Sequence, residues 1–90
     1  MDGENLIHII EEIRNDNERS FRVLFEHYYP RILRVACYHV KNEELAQEVV
    51  MDVFTKLWKY RKKLPEIGNF TNYIFTAVKN HSINTLFFLM

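Results

Sequence analysis

Ninety residues, 48% of them hydrophobic and with twelve basic side chains against twelve acidic ones, describe one small folded domain rather than a disordered chain or a generic binder of polyanions. No apolar run approaches the roughly 20 residues that span a bilayer, and the acidic first residues do not read as a secretory signal. The single cysteine, Cys37, excludes an intrachain disulfide and favours a cytoplasmic location.

Two glycines, two prolines and no strand-like alternation predict an all-α fold, a compact bundle of about four helices. The first helix is expected from about Glu4 to Asn15, burying Leu6, Ile7, Ile10 and Ile13. Asp16-Asn17 supplies a break and a cap. A second helix then runs to about Val40 on a stripe of Phe21, Leu24, Phe25, Tyr28, Ile32, Leu33, Val35, Ala36 and Val40. Pro30 lies inside that stripe, removes an amide donor and crowds the preceding turn. The apolar period continues through it, so one helix kinked near Pro30 is expected, and Lys41 connects it to the third.

That third helix, Asn42 to Lys63, is the best-signalled stretch of the chain. Asn42 suits an N-cap. Glu43 and Glu44 favour the positive end of the helix dipole, and Arg61, Lys62 and Lys63 the negative end. Leu45, Ala46, Val49, Val50, Val53, Phe54 and Leu57 recur at helical spacing and define a buried face. The opposite face carries Glu44, Gln47, Glu48, Met51 and Asp52, a mixture that folding does not require. Leu64-Pro65-Glu66-Ile67-Gly68 reads as a loop. Asn69 can cap a fourth helix built on Phe70, Tyr73, Ile74, Ala77, Val78 and Leu86. The abrupt apolar Phe87-Phe88-Leu89-Met90 suggests truncation or the loss of a following segment.

Residues for catalysis, metal or cofactor binding are not apparent. There is no glycine-rich phosphate loop, nucleophile elbow or His-Glu-x-x-His. His8, His27, His39 and His81 fall on separate segments, and Cys37 and His39, two apart, point to different sides of a helix. Cys37 reads as a packed core thiol ahead of a reactive one. Glu11-Glu12 and Glu43-Glu44 read as solvated pairs, so the chain is not expected to be an enzyme.

Charge is distributed unevenly: Lys56, Lys59, Arg61, Lys62 and Lys63 make a basic run without an acidic residue. Trp58, Tyr60, Phe70, Tyr73 and Phe75 flank it. Rings interleaved with cations suit single-stranded nucleic acid, since bases stack on rings while cations follow phosphates. The bland alternative makes Trp58, Phe70 and Tyr73 core and the lysines a solvated helix end. Asn80 and Asn84, with Thr76 a turn earlier, share a helix face and carry the donors and acceptors that read base edges.

The segment Ala46-Gln47-Glu48-Val49-Val50-Met51-Asp52-Val53-Phe54-Thr55-Lys56-Leu57-Trp58 resembles the second-region signature of bacterial sigma factors of the extracytoplasmic-function type. Phe70, Tyr73, Ile74, Phe75, Asn80, Ile83 and Asn84 resemble its continuation. Upstream, Phe21, Leu24, Phe25, Tyr28, Tyr29, Pro30, Ile32 and Leu33 are similar to the family's second helix, and the likeness covers about residues 18 to 86. The resemblance implies one region 2 domain over residues 1–90 that docks on the clamp helices of the RNA polymerase β′ subunit. Glu48, Met51 and Asp52 would make that contact, with Gln47 and Lys56 near its rim. The promoter −10 element would be melted and its non-template strand held, one base flipped out, by the Leu64–Phe70 loop and by Asn69, Phe70, Tyr73, Thr76, Lys79, Asn80 and Asn84. Lys59, Arg61, Lys62 and Lys63 would bind phosphates. The resemblance leaves room for an anti-sigma factor as a further partner and implies no membrane insertion.

Three departures stand out. Met51 replaces a glutamine, so the polymerase contact is expected to be weaker or differently arranged. Asn84 replaces an aspartate, and Phe87 to Met90 replaces a basic continuation. The helix-turn-helix domain that reads the −35 element in such factors is absent from these residues. The competing expectation is a helical protein-interaction module, a degenerate sigma-like domain or dimerising bundle, that binds no DNA.

Overall fold

The structure, a computed structural model, describes residues 2–64 and 69–89. The expected loop residues Pro65 to Gly68 lie outside the described residues. Four α-helices are present among the described residues: α1 Gly3–Arg14, α2 Glu18–Val40, α3 Glu43–Lys59 and α4 Phe70–Leu89. No strand occurs among the described residues.

Local side-chain chemistry starts the first three helices. Asp2 accepts from the Asn5 amide at 2.9 Å, Asn17 from Ser20 at 3.0 Å and Asn42 from Leu45 at 2.9 Å. Each side-chain oxygen satisfies an amide that the first turn leaves without a helical partner. The α1–α2 junction needs a left-handed residue, and Asp16 supplies it at φ 71°, a conformation that Asp tolerates better than most side chains. Lys41 does the same between α2 and α3 at φ 55° and donates its amide to the Cys37 carbonyl at 2.8 Å.

On α2, Leu24, Tyr28, Ile32, Ala36 and Val40 form a ridge of buried side chains at every fourth position. The helix passes through Pro30 without a break. Pro30 is exposed, and so is Glu26, whose carbonyl loses its partner, so water can satisfy it. Helices α1, α3 and α4 all pack on α2, and α3 also packs on α4. Helix α4 contributes the parallel ridge Phe70, Ile74, Val78 and Ser82. The Tyr28 hydroxyl and the Thr71 hydroxyl, 2.8 Å apart, tie α2 to the start of α4. Cys37 is half-buried against the core.

Two expectations need correction. Ile7 is not buried but 40% exposed. It stands about 100° around the helix from Leu6, and α1 packs along the Leu6–Ile10–Ile13 line with Ile9 partly buried beside it. The third helix does not run to Lys63. It ends at Lys59, and Arg61–Lys63 forms a 3₁₀ turn. The tighter turn brings Leu64, 4% exposed, back into the core.

Phe54 lies at the centre, 2% exposed, with its ring 4.7 Å from Phe25 and 6.0 Å from Phe21. We expect Phe54→Ala to lower the unfolding free energy by about 3–5 kcal/mol, and Ile7→Ala to change it by about 0.5 kcal/mol or less, as read by urea titration. Equal losses would contradict the burial pattern.

Candidate functional site

The exposed face of α3 holds the acidic residues together. Glu44, Gln47, Glu48, Met51 and Asp52 line one shallow depression, and all five are exposed. Met51, 49% exposed, also borders a groove of about 400 Å³ between α2 and α3, whose floor is Phe21, Phe25, Phe54 and Trp58. A thioether at this position therefore joins an anionic face to an aromatic groove. Asp52 does not stand alone: its Oδ2 lies 3.2 Å from Nε2 of His81 on α4. His81 was missed by sequence reasoning, because nothing local marks a pairing between residues on different helices.

The basic run divides. Lys59 and Lys63 are exposed, Lys59 with its ammonium 5.5 Å from the Tyr60 ring centre. Arg61 and Lys62 instead turn back onto the α1–α2 junction. The Arg61 Nε donates to the Asp16 carboxylate at 2.7 Å, and another guanidinium nitrogen donates to the Trp58 carbonyl at 2.8 Å. The same guanidinium lies 4.2 Å from the Trp58 ring centre, a cation–π arrangement. Lys62 reaches Asp16 at 3.1 Å and donates to the Arg14 carbonyl. These hydrogen bonds from Arg61 first, then Lys62, hold the Asp16 carboxyl below the usual aspartate range.

On α4 the aromatic–amide constellation is brought together around Tyr73, which is 46% exposed. One groove of about 320 Å³ between α3 and α4 is lined by Lys56, Tyr60, Tyr73, Asn80 and Asn84, among others. A second, of about 510 Å³, is lined by Asn69, Asn72, Tyr73, Thr76, Ala77 and Asn80. Tyr73 and Asn80 thus border both. Lys56, expected at the rim of the acidic face, shares the first groove with the asparagines. Lys79 is exposed but lines neither.

Phe70 is placed differently from the rest of the expected set. It is fully buried, 5.5 Å from the Tyr28 ring and 6.3 Å from the Tyr73 ring. In this position it supports Tyr73 and offers no face to a ligand. Tyr73 was expected in the apolar stripe as well as at the site, and its half-exposure leaves the site role open. Asn72, which borders the second groove, had not been singled out, and Tyr60, noted only as a ring beside the basic run, lines the first. Among the described residues, no cluster of His, Cys, Asp and Glu is arranged to hold a metal ion, and no helix is long and apolar enough to cross a membrane.

The family model of sigma-70 region 2 matches residues 24–87, well over half of the chain. The matched span takes in the α2 ridge, the acidic face of α3, the basic turn and the Tyr73 grooves. Domains of this kind are helical and non-enzymatic and serve transcription initiation through RNA polymerase binding and promoter melting. Comparison with curated proteins and with solved structures found no match.

The Asp16 cluster sets a pH dependence. Because the folded carboxyl has a lowered pKa, its contribution to stability is complete above the ordinary aspartate value and is lost as pH falls through the lowered one. We expect Asp16→Asn to melt below the parent near neutral pH, and the gap to close in strong acid. Thermal melts followed by circular dichroism check this; a gap of constant size across that range would remove Asp16 as its cause.

Proposed function

We propose a function for this chain from one premise: it belongs to the sigma-70 region 2 family. The reading is a sigma-factor domain, of the extracytoplasmic-function type and formed by residues 1–90, that joins RNA polymerase core to promoter DNA. Such a domain works in the bacterial cytoplasm, where both partners are. The acidic face of α3, with Gln47, Glu48, Met51 and Asp52, docks on the clamp helices of the β′ subunit. Lys56 lies at its edge, toward the α4 grooves.

The grooves beside Tyr73 take the non-template strand of the −10 element. The observation that carries this half is the placement of one half-exposed ring between two grooves edged with side-chain amides and a hydroxyl. A base extruded from the stack needs a ring to replace its lost neighbours and groups that pair with its edge. Tyr73 supplies the ring, and Asn69, Thr76, Asn80 and Asn84 supply the polar atoms. Lys59, Lys63 and Lys79 provide exposed cations for phosphates. Arg61 and Lys62 are already engaged with Asp16, so a phosphate reaching them must share that carboxylate's partners or displace it. Phe70 acts from within the core.

The pairing of Arg61 and Lys62 inside the chain favours a second reading, a helical protein-interaction module that binds no DNA. One titration separates the two. Fluorescence anisotropy with a single-stranded −10 non-template oligonucleotide should show binding by the parent chain. Tyr73→Ala combined with Asn80→Ala should weaken it at least tenfold, in line with about 1–3 kcal/mol for one stacked base. Equal affinity for parent and double variant would refute the Tyr73 site, and no binding by the parent would favour the second reading.

For the polymerase half, Glu48→Lys with Asp52→Lys is expected to weaken binding to a β′ clamp-helix fragment by at least about tenfold, since like charges brought together at an interface are costly. Calorimetric titration reads this directly. An unchanged dissociation constant would move the polymerase contact off α3.

A further inference from the structure

On the side of α4 away from α3, a groove of about 510 Å³ is lined by Arg31, Arg34, Val35, Tyr38, His39 and Phe75. Its lining includes two arginines, a histidine and two aromatic rings, and no carboxylate. Arg31 and Arg34 are exposed, and neither forms an ion pair among the described residues. The Arg31 guanidinium is already held in place, 5.2 Å from the Phe75 ring centre and 5.7 Å from that of Tyr28. Rings that hold the planar cation leave its N–H edge available, and that edge matches two phosphate oxygens. Tyr38, 76% exposed, presents an aromatic surface beside it. The basic segment most obvious in the sequence spends Arg61 and Lys62 on Asp16, whereas this second cationic cluster is not so neutralised.

The groove also lies where a strand leaving Tyr73 can arrive. At about 100° per residue around α4, the exposed positions step from Tyr73 and Asn80 through Thr76 to Asn72 and Lys79, and the half-buried Phe75 comes next. A helix is about 10–12 Å across with its side chains, a distance that a few nucleotides of extended single strand cover. Lys79, which lines neither Tyr73 groove, stands on that path beyond Thr76.

We propose that the Arg31–Arg34–Phe75 groove is a second single-strand-binding site, where the two arginines take backbone phosphates of the strand whose base occupies the Tyr73 grooves. The strand crosses α4 over Thr76 and Lys79, and α2 serves as well as α4 in holding nucleic acid. This rests on the single-strand reading given above and extends it to a surface outside the Tyr73 grooves.

The test is anisotropy of the full chain with two single-stranded oligonucleotides, one of about twelve nucleotides, within the range of single-strand site sizes, and one of about three, which fills the Tyr73 side and ends before the arginines. Arg31→Gln with Arg34→Gln should weaken binding of the longer strand about tenfold. It should also make the dependence of log K on log salt shallower by about 1.4, at about 0.7 for each phosphate neutralised. Binding of the shorter strand, confined to the Tyr73 side, should change less than twofold. Arg31→Lys with Arg34→Lys should keep most of the salt slope, and circular dichroism confirms that both variants are folded. If the parent binds the longer strand through Tyr73 while the glutamine variant matches it in affinity and slope, this inference falls and the Tyr73 site stands. If the parent binds no single strand, both fall.

Discussion

Leu24, Tyr28, Ile32, Ala36 and Val40 recur every fourth residue along α2, and each of the other three helices packs on the helix that carries them. A chain of ninety residues has little apolar area beyond what one such core uses, so the positions of the remaining faces follow from how that ridge is covered. Helix α3 lays Ala46, Val49, Val50, Val53, Phe54 and Leu57 inward, which obliges Glu44, Gln47, Glu48, Met51 and Asp52 to face outward. Helix α4 lays Phe70, Ile74, Val78 and Ser82 inward, which sets Tyr73, Thr76 and Asn80 toward solvent. The functional surfaces are thus the complements of the buried ridges. Rigid helices bear both.

The basic turn shows a different principle. Three cations, Arg61, Lys62 and Lys63, share one short 3₁₀ turn, repel one another and need an anion or a ligand, and the first two find one within the chain. Asp16 meets that need from the α1–α2 junction, in a backbone conformation that few residues adopt without cost. Exposed ion pairs contribute little each, yet here a carboxylate, a ring and two carbonyls engage the same two side chains. The result holds α1 against the end of α3, a region where the apolar contact of α1 is narrow. It also means that a phosphate approaching Arg61 or Lys62 competes with an internal partner, whereas one approaching Lys59, Lys63, Arg31 or Arg34 meets no such competitor among the described residues.

What could be read from the chain beforehand divides along the same line. Caps at Asn17 and Asn42, the break at Asp16 and the stripes of α2 and α3 are local signals, and the structure contains them. Uninterrupted passage through Pro30 was legible because the apolar period continued beyond it. The end of α3 was not, because charges suited to a helix terminus at Arg61 to Lys63 are equally suited to pairing with Asp16, and only the burial of Leu64 decides between them. Phe70 and Tyr73 are both aromatic and one turn apart. That one is core and the other half-exposed depends on how α4 is rotated against Tyr28. The Asp52–His81 pair and the Arg31 stack on Phe75 link separate helices, so no spacing rule could reveal them.

Met51 is one of the three positions where this chain departs from the signature it resembles. A glutamine there would bring an amide to a face that already carries carboxylates. Methionine brings instead a flexible apolar side chain that packs adaptably, placed between those carboxylates and the aromatic floor of the α2–α3 groove. A partner docking on this face meets charge on one side of Met51 and apolar surface on the other. Complementarity then calls for a helix that presents a basic residue and an apolar one a turn apart, a pairing that helical spacing supplies readily. Electrostatics would guide the encounter and the buried apolar contact would lengthen it. In the proposed polymerase contact, the substitution therefore changes the kind of interaction at the centre of the face and leaves its acidic contacts, Glu48 and Asp52, in place.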